Sequence, residues 1–419
     1  MKIVNYDLVI IGGGPAGMAA AIAAKESKID SILILERNNE LGGILNQCIH
    51  SGFGLHKFGE ELTGPEYVFR YMKMLSQYDN ISLSFNSMVL NVSSDKKITY
   101  VNSQEGLVKV KAKAIILAMG CRERARGALS IPGYRPAGIY SAGTAQYMIN
   151  VNGKLPGKKV IIVGSGDIGL IMARRLMLEG AEVLGVVEIA AHPGGLKRNI
   201  VQCLDDFNIP LFLSYRVSEI KGKKRVEGVV VDKIDSDNNV ICGNTKEFKC
   251  DTILFSVGLI PENELSLQAG VNISKYTNGP LVDEALSTNI EGIYACGNVL
   301  HVHDLVDYVS EEGELAGKEA AAYINGQYTQ NREKCHISSG KGVKYTVPFC
   351  FNRNLTQDGL DIKFRSTDVF KDKCIYCTAD NEIIYKNRKK IILPAEMERI
   401  HIDKEKLLGK SKINIYIGE

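Results

Sequence analysis

The chain has 419 residues, 45% of them apolar and 24% charged, with a formal net charge of +3. That length holds two or three domains of roughly 100–200 residues, and the composition is that of an ordinary globular protein. The charge is too small for nucleic-acid binding, no apolar stretch approaches bilayer length, no secretory leader pattern opens the chain, and ten cysteines without a framework spacing point to reduced thiols in a cytoplasm.

Residues 7–17, DLVIIGGGPAG, are an apolar strand running into Gly12-x-Gly14-x-x-Gly17. A small-residue helix pattern (MAAAIAAKES) follows, then a strand, SILILE, that ends at Glu36. In such a unit the first glycine makes a tight turn, the second lets a pyrophosphate approach the backbone, and the third lets helix pack on strand. The pyrophosphate sits on the helix N-terminus, where free N–H groups and the macrodipole favour an anion. The carboxylate accepts hydrogen bonds from ribose hydroxyls. Next comes LGGILNQCIHSGFGLH (41–56), in which Gly42-Gly43 form a second glycine turn able to pass beside the phosphates. Cys48 in this stretch is either a redox thiol beside a cofactor or one residue of a tight loop. Thr63-Gly-Pro-Glu66 is a capping-box start for the amphipathic helix EYVFRYMKMLSQ. The strand AKAIILAMG (112–120) closes the first segment.

The pattern then recurs. Residues 159–169, KVIIVGSGDIG, carry Gly164-x-Gly166-x-x-Gly169, followed by a helix and a strand ending at Glu188. In both units 24 residues separate the first glycine from the carboxylate. Two complete units predict two dinucleotide sites and electron transfer between their ligands, the usual pair being FAD and a nicotinamide. Glu188 would repel a 2′-phosphate, which favours NADH over NADPH, although Arg174, Arg175 and Lys197 are near in sequence. The stretch 225–258 alternates about a DSDNN turn as a β-meander, with Cys242 and Cys250 expected to pack within it. IEGIYACGN (290–298) is a strand ending in Gly297-Asn298, and SEEGELAGKEAAAYI is a helix pattern. This segment returns to the FAD domain, so the NAD domain is an insertion. In LHVHDLVDYVSEEG (300–313), His303 or Asp304 bonds the flavin edge or relays a proton, or else Asp304 or Asp307 caps the helix. Both readings stay open. His301-x-His303 is a weak metal signal because no third ligand follows at suitable spacing, and no metal site is expected. Beyond about 330, short alternating runs predict a small all-β domain, in which Cys335, Cys350, Cys374 and Cys377 are read as structural.

These motifs resemble the pyridine nucleotide–disulfide oxidoreductase superfamily in its compact, thioredoxin-reductase-like arrangement. GCRERARGALSIPGYRPAGIYSAGTAQYMIN (120–150), followed by GSGDIG, is similar to a narrower branch. That branch includes the FAD/NAD subunits of opine oxidase, hydrogen cyanide synthase and heterotetrameric sarcosine oxidase, and dehydrogenases encoded beside anaerobic glycerol-3-phosphate dehydrogenase. The resemblance covers about residues 5–325. It implies an α/β protein with two Rossmann-like dinucleotide-binding domains: FAD domain 1–120 and 251–328, NAD(P) domain 121–250, and a β-rich segment 329–419. Many relatives carry Asp where Asn298 stands, which keeps the hydrogen bonding but loses the charge. Some carry a C-terminal iron–sulfur domain, for which the cysteine spacing here is unsuited. The site residues expected for FAD are Gly12, Gly14, Pro15, Ala16, Gly17, Glu36, Arg37, Gly42, Gly43, Gln47, Val89, Ala118, Gly120, Gly297 and Asn298. Those for NAD are Gly164, Gly166, Asp167, Ile168, Gly169, Glu188 and Gly258, with Cys48 and His303 as catalytic candidates.

The superfamily's dithiol relays, C-x4-C after the first unit or C-x-x-C in the NAD domain, are absent: Cys48 stands alone, and only Cys121 and Cys203 precede the meander. The leading expectation is an FAD-dependent NAD(P)H oxidoreductase. Its candidate partners are a second flavoprotein dehydrogenase subunit, a small electron carrier and a second copy of the chain. The alternatives are a single-cysteine peroxide or disulfide reductase cycling Cys48, and a non-catalytic FAD-binding scaffold.

Overall fold

A computed structural model describes residues 2–327, 333–353 and 358–419; the expected domain boundary at 328/329 lies outside the described residues. The chain divides into two compact units, Met1–Cys121 with Pro261–Glu419, and Arg122–Ile260. Among the described residues no helix is long and apolar enough to cross a membrane.

The first unit is built on a seven-stranded sheet. The strand Lys2–Ile11 lies between Ile32–Leu35 and Gly106–Leu117, parallel to both, and Ile81–Ser84 extends the parallel run. Strands buried on both faces need continuous apolar sequence, which LVII, ILIL and AIIL supply: Leu8, Val9, Ile10, Ile32, Ile115 and Ile116 are wholly buried. Lys97–Asn102 and Met88–Val92 complete one edge as an antiparallel pair, and Ile293–Ala295 returns to lie parallel to Gly106–Leu117. The helices Pro15–Glu26 and Val306–Ile324 cross at small residues. A Cβ on Gly313 would lie 2.2 Å from the Ala16 carbonyl oxygen, and one on Gly317 would lie 2.3 Å from that of Ala20. Gly313→Ala is therefore expected to cost about 3 kcal/mol, since two backbones rather than a flexible side chain must part. A lowered urea midpoint would register this; an unchanged midpoint would contradict it.

The second unit holds a five-stranded parallel sheet in the order Ile139–Ser141, Thr252–Phe255, Lys159–Val163, Glu182–Glu188, Leu211–Leu213. The strand Thr252–Phe255 lies inside this sheet, so the unit runs to Ile260 rather than ending at 250. The reason is that TILF is buried throughout and pairs on both edges. Beside the sheet runs the meander Tyr215–Lys221, Gly228–Ile234, Val240–Phe248. Cys250 is buried, but Cys242, expected to pack in a strand, is exposed because its strand Val240–Phe248 carries almost no buried residue.

From residue 333 the described chain forms two further sheets, one ordered Cys350–Asn352, Lys334–Ser339, Lys412–Gly418, Phe370–Ala379, Glu382–Ile392 and one ordered Val343–Val347, Gly359–Ser366, Glu398–Asp403. They enclose a separate apolar core that includes Phe351, Phe364, Ile375, Cys377 and Ile415. Every cysteine is a free thiol, and Cys335, Cys350, Cys374 and Cys377 are all buried.

Candidate functional site

At the first glycine turn, each glycine meets a specific constraint. Gly12 has φ +108°, and a Cβ there would lie 2.3 Å from the Ala118 carbonyl oxygen. A Cβ on Gly17 would lie 1.9 Å from the carbonyl oxygen of Gly12. Gly14 differs: nothing lies within 4 Å of its Cβ direction, so its surface is open. Gly42 donates to the Gly13 carbonyl at 2.9 Å, which lays the Gly42-Gly43 turn against Gly13-Gly14. Glu36 is buried; its Oε2 accepts Gly13 N–H at 2.7 Å and its Oε1 accepts Asn38 N–H at 2.8 Å. Gly297 also joins this place, since a Cβ on it would sit 2.9 Å from Ala16 Cβ. Gln47, Val89 and Ala118 are buried, Gly120 has φ +71° with open space around it, and Arg37 is exposed.

The second unit repeats the arrangement in its own residues. A Cβ on Gly164 would lie 2.1 Å from the Ser256 carbonyl oxygen, and one on Gly169 would lie 2.9 Å from that of Gly164. Glu188 Oε2 accepts Ser165 N–H at 2.8 Å, and Oε1 accepts Ala190 N–H at 2.9 Å. Both carboxylates are thus held by the second residue of their glycine turn and by the residue two positions after themselves. Asp167 Oδ1 is engaged by Leu196 N–H and Asn199 Nδ2, tying down the loop before the helix Lys197–Cys203. Ile168 is half-buried beside it, and Gly258, φ +97°, accepts Arg124 N–H.

Among the described residues two longer helices are closed by an N-cap side chain; the helices at the glycine turns are not, a feature they share with the short helices Lys197–Cys203, Glu264–Gln268 and Lys404–Leu407. The helices Gly64–Leu75 and Ala142–Asn150 are capped by Thr63 and Ser141, the former through a full capping box with Glu66. The helices Pro15–Glu26, Asp167–Leu178 and Val306–Ile324 begin with no side-chain cap. No N-cap side chain takes their first N–H groups; Gly169 N–H donates to Ser256 Oγ at 3.1 Å, and the others are left for solvent or a ligand. An anionic phosphate satisfies such groups, and the open face of Gly14 leaves it room, so the residues present fit a dinucleotide.

Cys48 is 9% exposed, and its thiol donates to the Ile44 carbonyl at 3.3 Å. Burial pushes this thiol up to about 12, so it is protonated at neutral pH. Tight packing explains the burial: a Cβ on Gly64 would be 2.9 Å from Cys48 Cβ. The thiol at the Gly297-Asn298 turn is instead Cys121, 3.6 Å from Asn298 Nδ2.

Asn298 Oδ1 accepts His303 N–H at 3.0 Å and lies 3.2 Å from His303 Nδ1. His303 Nε2 is 3.0 Å from Glu312 Oε1, off the hydrogen-bonding direction, and His301 Nε2 is 2.8 Å from the same oxygen. The spacing argument that no third ligand follows the two histidines is thus corrected: the helix brings Glu312 round, and three ligand-type atoms fall within 4.8 Å of one another. The cation on this carboxylate is the ammonium of Lys363, 2.7 Å from Oε1. Burial opposes the charge of Glu312, but His303, Lys363 and His301 together hold it well below the usual carboxylate range. Burial, with repulsion from His303, lowers His301 to about 4, so that imidazole is neutral. Neither Asp304 nor Asp307 caps the helix, as the alternative had it; Leu305 is the N-cap, and Asp304 is taken by Arg365 and by Met397 N–H. Sequence reasoning missed Glu312, Lys363 and Cys121.

Comparison with known proteins agrees with this architecture. Residues 6–318 match the pyridine nucleotide-disulphide oxidoreductase family. A hydrogen cyanide synthase subunit of Pseudomonas protegens is 27% identical over 337 residues, 76% of this chain and 68% of that one. An opine oxidase subunit of Agrobacterium tumefaciens is 24% identical over 337 residues, 75% of this chain and 64% of that one. The chain therefore spans about two thirds of the length of these two relatives. The thioredoxin reductase of T. acidophilum superposes with a TM-score of 0.62 at 22% identity, covering 77% of this chain and 99% of that one, a likeness of fold. With three quarters of its length matched, the chain belongs to the pyridine nucleotide-disulphide oxidoreductase family, whose members are FAD- and NAD(P)-dependent oxidoreductases.

Proposed function

We propose that the chain moves a hydride between NADH and FAD and exchanges the electrons with a partner dehydrogenase subunit or a small carrier. FAD occupies the Gly12–Glu36 unit together with Gly42, Gly43 and Asn298; the nicotinamide nucleotide occupies the Gly164–Glu188 unit. The observation that carries this reading is the pair of glycine turns, each followed by an uncapped helix and each holding a carboxylate through the same two amide positions.

Bound FAD supplies the hydride acceptor and the means to pass electrons on. The chain's own residues bind and orient. The first-turn N–H groups of Pro15–Glu26 and Asp167–Leu178, apart from the Gly169 N–H that Ser256 Oγ holds, take the pyrophosphates, with Gly14 and Gly166 giving access. Glu36 and Glu188 keep lone pairs for ribose hydroxyls. Glu188 opposes a 2′-phosphate, so NADH is preferred to NADPH. Asn298, steadied by His303, offers its amide to the flavin side chain. The test is anaerobic titration of the purified chain with NADH and with NADPH, following flavin absorbance; a chain that takes up no flavin, or whose flavin neither nucleotide bleaches, overturns the reading.

Both relatives are named as subunits, one of a synthase and one of an oxidase, which supports a role beside a second flavoprotein. Stoichiometric co-purification of such a protein from the native cell is the expected result. The single-cysteine alternative needs a thiolate at Cys48, which its burial disfavours. Cys48→Ser is expected to leave NADH bleaching undiminished. A charge-transfer band on two-electron reduction that vanishes in this variant would reverse that assignment.

A further inference from the structure

Glu312 is balanced from outside the family's matched region, which ends at residue 318. Lys363 comes from the strand Gly359–Ser366, where Ile362 and Phe364 belong to the C-terminal core. Alternation sends Lys363 to the other face, and there it is 9% exposed with its ammonium on Glu312 Oε1. The same oxygen takes His301, and Oε2 accepts Gly297 N–H at 2.9 Å. The His303 ring lies tilted against that of His301, with ring centroids 4.1 Å apart, and bonds Asn298 Oδ1. A continuous path therefore runs from Lys363 through Glu312 and the two imidazoles to the Gly297-Asn298 turn. The C-terminal sheets grip the same segment elsewhere: Arg399 holds Glu311 through two bonds of 2.8 Å, and Arg365 bonds Asp304 and the Val302 carbonyl.

A buried carboxylate with no counter-charge is strongly destabilising, and so is a buried ammonium. Each member of the pair makes the other tenable. The groups facing the cluster from neighbouring elements are Cys296, before the turn, Tyr345 and Arg365 from the C-terminal sheet, and Asp304, the partner of Arg365, from the loop before the helix. Burial raises the Cys296 thiol and the Tyr345 phenol, so both stay protonated at neutral pH.

We infer that Lys363 is a positioning residue of the flavin site, keeping Glu312 charged as the acceptor that holds His301 and the Gly297 N–H, and with them the His303 ring that lies against His301 and bonds Asn298. The inference rests on the flavin reading above. It makes the C-terminal sheets part of the site and not an appendage.

The test measures FAD affinity of the full chain from about pH 6 to about pH 9 for wild type, Lys363→Met, Lys363→Arg and the Lys363→Met/Glu312→Gln double variant. In Lys363→Met a proton on His301 replaces the lost ammonium at low pH and leaves as pH rises. Its FAD dissociation constant, relative to wild type, is expected to climb by up to about tenfold per pH unit above the new pKa. The arginine variant and the double variant are expected to give flat ratios, the first because the charge is restored and the second because a neutral amide in place of the Glu312 carboxylate needs none. In flavin-free protein, ring NMR is expected to show the His301 titration moving up from about 4 in Lys363→Met. If Lys363→Met does not fold, the folded double variant decides: a flat ratio supports the role, and loss of FAD binding overturns it. A wild type that takes up no FAD overturns the flavin reading itself. A wild type that binds FAD, beside a Lys363→Met ratio that is flat with pH, overturns this inference alone.

Discussion

Gly14→Asp is expected to give a folded, slightly stabilised chain that no longer holds flavin. Gly14 is the N-cap of the helix Pro15–Glu26 with φ −74° and ψ −174°, a conformation any residue adopts. Nothing lies within 4 Å of a Cβ built on it, so the substitution meets no steric penalty. Asp is a strong N-cap, and its carboxylate would take the free N–H groups for a gain of about 1 kcal/mol. The same carboxylate puts a negative charge where the pyrophosphate must sit. Loss of several charge-assisted hydrogen bonds together with like-charge repulsion amounts to about 4 kcal/mol, or roughly a thousandfold in affinity. Flavin absorbance of the purified variant and its melting temperature without added FAD check the two halves separately. Wild-type flavin content would refute the assignment of this turn.

Gly166→Asp is expected to do the converse, leaving a yellow protein that NADH cannot bleach. Gly166 caps Asp167–Leu178 with φ −65°, again an ordinary conformation, and a Cβ there would stand 3.3 Å from Ser256 Oγ, a side chain that can yield. The residue lies in the second unit, so the first glycine turn is untouched. NADH-dependent flavin reduction is expected to fall by about a hundredfold or more, equivalent to about 3 kcal/mol of lost nucleotide binding. Reduction by dithionite should be unchanged, because it needs no protein site. NADH bleaching at the wild-type rate would remove the second turn from the mechanism. The two variants together assign the cofactors to turns independently, which neither can do alone.

The two strand–turn–helix units were legible in the sequence because their constraints leave glycines at a fixed short spacing. Gly12 must avoid Ala118 and Gly17 must avoid Gly12, and no residue with a side chain can stand there. The 24-residue spacing to each carboxylate follows from one helix and one strand of ordinary length. The capping box at Thr63 and the meander were readable because their patterns are also short in sequence. The charged cluster was not. Glu312 and Lys363 are 51 residues apart and meet only when a C-terminal strand lies against a helix, an encounter no short-range spacing encodes. A faint signal existed: Lys363 sits in DIKFRS between two core residues, and Glu312 lies beside Val309, Gly313 and Ala316, all buried. A charge in each of two otherwise apolar contexts invites a search for a mutual partner. Cys48 shows the reverse difficulty. Its position near the first glycine turn was readable, but its burial depends on how closely Gly64 approaches it.

The uncapped helix starts at the two glycine turns also bear on how long the protein lasts in a cell. Without ligands, their first N–H groups other than that of Gly169 have water as partner, and part of the folding free energy is withheld until the nucleotides arrive. A ligand present at about a thousand times its dissociation constant adds about 4 kcal/mol to stability. Scarcity of flavin would then thin the protein itself as well as its turnover, since the unloaded chain opens more often to proteases. Abundance would follow cofactor supply with no dedicated regulator, set by the helix ends at the two glycine turns.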